Sequence, residues 1–200
     1  MKRQQSGFTL VEIAIVLVII GLLLGGVLKG QELITQAKIK NVSNDLTGIT
    51  AAVYSYQDRF KSLPGDDPNG STRWSDTDAV SATNKGNGKI DSNEQSLFWQ
   101  HLRKAGFVAG EIKSGSPLNA VGGQIEPVQT ALAIGGLSIC THNLPAKIAE
   151  ALDVQIDDGK PNTGTVRAAV ETSASVVTTA PTITGYTDDG STLYVLCKQL

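Results

Sequence analysis

One carboxylate stands inside a long apolar run. Glu12 is the only charged side chain between Phe8 and Leu28. An ionised group within a membrane segment costs a few kcal/mol, so by default it marks a functional position that has a partner. The other side chains able to do chemistry are few. Cys140 and Cys197 are the only cysteines, 57 positions apart. They are either two unrelated buried thiols or, in a domain outside the cytoplasm, the halves of one disulfide. Such a bond closes a loop that the chain-entropy model values at about 4 kcal/mol. There are two histidines, His101 and His142. Cys140-Thr141-His142 offers two zinc ligands, yet no second Cys/His pair completes a tetrahedral set. The acidic, glycine-rich stretch from Leu63 to Asn93 invites a calcium reading. Thr83 to Glu94 can be laid on an EF-hand-like loop, with Gly88 at the sharp turn and Asp91 and Glu94 as candidate ligands. Thr83 and Lys85 depart from that pattern, standing where carboxylates belong. The alternative is a solvated loop whose Asp and Asn residues make turns. No Gly-x-Ser-x-Gly elbow, phosphate-binding glycine loop or His-Glu-x-x-His helix is present. The expectation is therefore a protein that is not an enzyme and holds no resident cofactor.

The elements that must position these groups follow from patterning. Phe8 to Leu28 is long enough, at 1.5 Å per helical residue, to cross a hydrocarbon core of about 30 Å. Lys2 and Arg3 precede it, which places the N-terminus in the cytoplasm and the remainder across the membrane. The apolar run exceeds a usual signal-peptide core, and no convincing small-residue cleavage site follows it. Gly21, Gly25, Gly26 and Gly30 punctuate its outer half. They allow close helix packing, or weaken the helix there by about 1 kcal/mol each relative to alanine. Beyond Lys29 the pattern becomes amphipathic. Ile39, Val42, Leu46, Ile49, Val53, Tyr56 and Phe60 recur at alternating steps of three and four, a stripe on one helix face. Pro64-Gly65 is the stop signal.

Composition bounds the rest. The chain has 200 residues, 40% of them apolar, a formal net charge of −2 and 21 glycines. That supports one loop-rich domain besides the membrane segment. With the pI near 5.7, nothing argues for a nucleic-acid partner. Ser92-Asn93-Glu94-Gln95 ahead of Leu97, Phe98 and Leu102 reads as a short helix, Ser92 its cap and Gln95 closing the capping box, ending at Gly106. Trp99 and His101 fall on its other faces, His101 as a structural residue. Pro117 to Gln129 reads as turn-rich. Thr130–Ile134 and Leu137–Cys140 read as strands around Gly135-Gly136, Pro145–Leu152 as a short helix, Asp157-Asp158-Gly159 as a turn, and Thr192–Cys197 as a closing strand. The strands are too few for a barrel, so a small antiparallel sheet laid on the long helix is expected.

The segment Gly7-Phe8-Thr9-Leu10-Val11-Glu12, with its basic leader and continuous apolar helix, resembles the processing motif of type IV pilins and of the pseudopilins of type II secretion systems. The resemblance covers Lys2 to about Ser62 closely, with an echo from Asp153 through Ala168. It implies cleavage by prepilin peptidase between Gly7 and Phe8, N-methylation of Phe8, and pairing of Glu12 with the Phe8 amine of a neighbouring subunit. It also implies a pilin-like α+β fold. The domains read as residues 1–7, a cytoplasmic leader that is removed; 8–28, a transmembrane and assembly helix; 29–63, its amphipathic continuation; and 64–200, a globular extracytoplasmic head. The implied partners are other pilin subunits, the peptidase, an inner-membrane assembly platform and the membrane. The implied location is a single-pass inner-membrane precursor, then a filament. The lead function is a structural subunit of a type IV pilus-like filament. The alternatives are a type II secretion pseudopilin and a membrane-tethered periplasmic binding domain that never polymerises. A C-terminal disulfide loop resembles that of pilins and leans toward the first.

Overall fold

The computed structural model describes residues 9–74, 85–172 and 178–200. Two compact units divide the chain, residues 1–37 and 38–200.

Helix α1 spans Leu10–Phe60, 51 residues. Up to Leu28 its leucines, isoleucines and valines are exposed all round. β-Branched residues are mediocre helix formers in water. In hydrocarbon, however, a segment must satisfy its own backbone, and a helix does so. By length and apolar content, this is the one helix among the described residues fit to cross a membrane. From residue 38 onward the stripe takes over: Ile39, Val42, Leu46, Ile49, Val53 and Tyr56 are buried, with Ala52 beside them, and Phe60 packs partly buried at the end. The helix stops at Phe60, a few residues before Pro64-Gly65, because Lys61 turns into the left-handed region (φ 55°) while its amide still bonds Gln57 O at 2.8 Å.

The second unit continues with α2 (Gly70–Arg73), α3 (Gln95–Lys104), β1 (Ile125–Gln129), a 3₁₀ turn (Ala131–Ala133), β2 (Leu137–Pro145), α4 (Ala146–Ile156), β3 (Val166–Val170) and β4 (Leu193–Gln199). The four strands make one sheet in the order β1-β2-β4-β3, every pair antiparallel. Strand β4 therefore lies inside the sheet between β2 and β3. Its two faces carry different residues, as strand alternation requires. Ile125, Ile139, Leu196, Ala168 and Tyr194 join the α1 stripe, Phe98, Trp99 and Leu102 of α3, and Ile148, Ala149 and Leu152 of α4 in the main core. Val128, Cys140, Val195 and Cys197 make a second cluster on the opposite face, covered by Ala131, Leu132 and Ile134.

That cover corrects one expectation. Thr130–Ile134 is not a strand: Thr130, Leu132 and Ala133 all have positive φ, and the segment is the loop of the β1–β2 hairpin, closed by Thr130 N–H to Gly136 O at 2.9 Å. A short apolar run does not distinguish a strand from a buried loop by periodicity. Strand β3 was not foreseen, and β1 lies in the segment read as turn-rich. Nor does Ser92 cap α3: Glu94 holds the cap position without a side-chain cap bond, and its carboxylate instead accepts the Asp91 N–H at 3.0 Å.

Candidate functional site

The start of α1 is built by a reciprocal pair. Thr9 precedes the first helical residue, and both its N–H and its hydroxyl donate to Glu12 Oε2 at 2.8 Å. The Glu12 N–H reaches back to Thr9 Oγ1 at 3.3 Å. This is a capping box, which satisfies amides that the first helical turn leaves without partners. The carboxylate that looked misplaced thus serves its own helix start. The sequence reading missed Thr9, although the Thr-x-x-Glu spacing signals it. Gly7 and Phe8, the expected cleavage and methylation positions, lie outside the described residues.

In the second unit, the loop after α1 is tied down by two buried aspartates, which corrects the solvated-loop reading for Asp66 and Asp67, whereas Asn87 and Asp91 do make exposed turns. Asp66 accepts the N–H groups of Gly86, Asn87 (3.2 Å) and Gly88 (2.6 Å). Asp67 accepts the Tyr56 hydroxyl at 2.7 Å and an Arg73 N–H. Burial pushes the Asp67 carboxyl up, but these hydrogen bonds, that of the Asn69 amide and the Arg73 charge outweigh it and hold it below the ordinary value. His101 stacks on Tyr56 with ring centroids 6.0 Å apart, and its Nδ1 accepts the Gly65 N–H at 2.9 Å. Burial lowers His101 to about 4. It is structural, as its isolation implied. The ring leaves no room beside it, for a Cβ on Gly70 would sit 2.7 Å from it.

The calcium register is only partly described, since Thr83 lies outside. Gly88 does have positive φ (76°), while Glu94 is fully buried, turned to the Asp91 amide and held above its ordinary value by burial. A different acidic group converges where α4 ends. Asp153, Asp157 and Asp158 bring carboxylate oxygens within 4.8 Å of one another. Asp153 is buried and accepts the Tyr186 hydroxyl at 2.7 Å; burial first, then the charges of Asp158 and Asp157, push it up. The i, i+4, i+5 spacing of these residues was the available signal.

Cys140 and Cys197 sit directly opposite one another in the β2–β4 register and are joined as a disulfide. Cys140 is thus no thiolate ligand, and the Cys140/His142 zinc pair is removed. His142 instead meets carboxylates: Nδ1 lies 2.9 Å from Glu171 Oε1 and Nε2 lies 4.0 Å from Glu126 Oε2.

The apolar, exposed helix opening on the Thr9/Glu12 box is matched by a known family over residues 2–28, described as the prokaryotic N-terminal methylation motif. The chain carries that motif. It is consistent with membrane anchoring through the segment it covers. Beyond the motif, no curated protein matches the chain. Among solved structures, the major type IV pilin PilA1 from Clostridium difficile is similar at 14% identity, over 82% of this chain and 95% of that one, with a TM-score of 0.42.

Proposed function

We propose that the protein is a structural subunit of a type IV pilus-like filament. It is made as a single-pass inner-membrane precursor, with its N-terminus cytoplasmic and its head periplasmic. Prepilin peptidase cuts it between Gly7 and Phe8, Phe8 is N-methylated, and an inner-membrane platform assembles it through α1. The observation that carries this reading is the methylation motif set on a helix whose first part exposes large apolar side chains on all sides. Cutting before that helix keeps the anchor and creates an ammonium at Phe8, one helical turn from Glu12. In an apolar layer each subunit then neutralises a neighbour's charge. Desolvation offsets much of that attraction, so the pair acts mainly to set axial register.

Mass spectrometry of the mature N-terminus tests the reading. A methylated Phe8 is expected; an intact Met1, or cleavage beyond Leu28, overturns it. The head disulfide favours a pilus over the pseudopilin of a type II secretion system. Deleting the protein should accordingly remove surface fibres and leave enzyme secretion intact.

A further inference from the structure

The sheet face that carries the disulfide also carries an imidazole with one nitrogen left over. His142 is 5% exposed. Its backbone is fixed on both sides: its N–H donates to Gln124 O at 3.0 Å, and its carbonyl accepts from Asn119 Nδ2 at 2.7 Å. Gly123 approaches so closely that a Cβ there would lie 1.9 Å from the same carbonyl oxygen. Just beyond, the β2–β4 register shifts between Thr141 and Leu144, with Asn143 at φ 61°. Such bulges re-aim side chains and are frequent beside functional sites.

The ring is oriented as well. Nδ1 faces Glu171 Oε1 at 2.9 Å, and the other oxygen of Glu171 is anchored by the Asn143 N–H at 2.6 Å. A carboxylate only accepts, so Nδ1 carries the proton. In the neutral ring, Nε2 then presents a bare lone pair. That atom is buried with no hydrogen-bond partner among the described residues. Glu126 Oε2 stands 4.0 Å from it, beyond hydrogen-bonding reach and a little wider than the roughly 3.3 Å between two ligands of a tetrahedral ion with bonds of about 2 Å. The side chain of Glu126 is 24% exposed, so it can draw in to tetrahedral geometry. A carboxylate behind one imidazole nitrogen and an open lone pair on the other is the arrangement that orients metal-bound histidines.

We infer that the head holds a borderline divalent transition ion, of the zinc class, between His142 Nε2 and Glu126, with Glu171 orienting the imidazole. A nitrogen and a carboxylate oxygen suit such ions better than calcium. Water completes the coordination. A site of two protein ligands is exchangeable.

With two histidines in the chain, the test is direct. The full-length protein, labelled with ¹⁵N-histidine in detergent micelles, is titrated with zinc chloride and followed by long-range ¹H–¹⁵N spectra, with affinity read by calorimetry. The His142 Nε2 signal should shift and saturate while that of His101 stays in place. Glu126→Gln and Glu171→Gln should each weaken binding 10–100-fold, and His142→Gln should abolish it. Glu126→Gln changes one partly exposed group and keeps the test open if the other variants fold poorly. The inference is overturned if His142 carries protons on both nitrogens at pH 7.5 and ignores a tenfold excess of zinc. Unchanged affinity in Glu126→Gln, or an equal response at His101, also overturns it.

Discussion

Helix α1 lays out its apolar residues in two contrasting ways. From Leu10 to Leu28 they point in all directions and stay exposed, with Leu10 at 85% and Leu22 at 73%. From Ile39 to Tyr56 they keep to one face and vanish from solvent, with Val42 and Tyr56 at 0%. The two stretches obtain partners differently. The stripe is answered by the chain's own sheet and helices. An all-round apolar helix needs surroundings from outside the chain, lipid or other copies. The difference between the two halves therefore separates a stretch that the fold satisfies from one that needs outside surroundings.

Four measurements can break or sharpen that contrast. Reducing Cys140–Cys197, or replacing both cysteines with serine, should cost the head about 4 kcal/mol in chemical denaturation, with no change in membrane extraction. Leu46→Ala should cost about 3 kcal/mol, within the range for buried leucines. Leu23→Ala, its counterpart in the exposed half, should move head stability by less than about 0.5 kcal/mol. A comparable loss from both substitutions defeats the comparison.

Next comes pH. The unfolded chain protonates His101 near its ordinary value of 6.5, the folded head only near 4. The unfolded state therefore binds more protons in that window, and stability falls as pH drops from 6.5 to 4, by up to about 3 kcal/mol. Asp67, held low, adds a loss of the same sign below about pH 4. Glu94 and Asp153, held high by burial, act in the opposite sense. The difference between wild type and His101→Gln in urea titrations at several pH values isolates the histidine. A slope unchanged by the substitution removes it from the account. Smallest on the head is Glu12→Ala. Insertion and cleavage should persist, methylation or filament assembly should fail, and thermal unfolding of the head should stay within about 2 °C. Normal filaments from this variant would end the charge-pairing proposal.

The long helix and its stripe were legible because 3.6-residue periodicity is a local property, repeated over many residues. Helices α3 and α4 also showed in the local pattern, and strand β4 showed through its two-residue alternation. What escaped depends on distant partners. Strand β3 shows its register only beside β4, and Thr130–Ile134 folds back because β1 and β2 must meet. The burial of Asp66 and Asp67 rests on amides about twenty residues onward and on Tyr56 and Arg73. At the N-terminus the motif was plain, yet Glu12 was read only as a partner for another subunit, when the Thr9 spacing also makes it a cap. On the far sheet face, His142 drew notice for its neighbour Cys140. Its actual companions, Glu126 and Glu171, come from two other segments that alternation alone cannot bring together.

The interior place of β4 sets an order of events as the chain is made. Strands β1 and β2 are joined by a short hairpin and can pair as soon as both have been made. Among the described residues strand β3 has no sheet neighbour except β4, and β4 begins more than twenty residues later in the chain. Until β4 arrives, the exposed edge of β2 is open to strands of other molecules, and Cys140 waits as a free thiol. A chain halted short of Leu193 would thus present both a sticky edge and a reactive sulfur to its surroundings. Completion of the sheet by β4 removes the two hazards in one step.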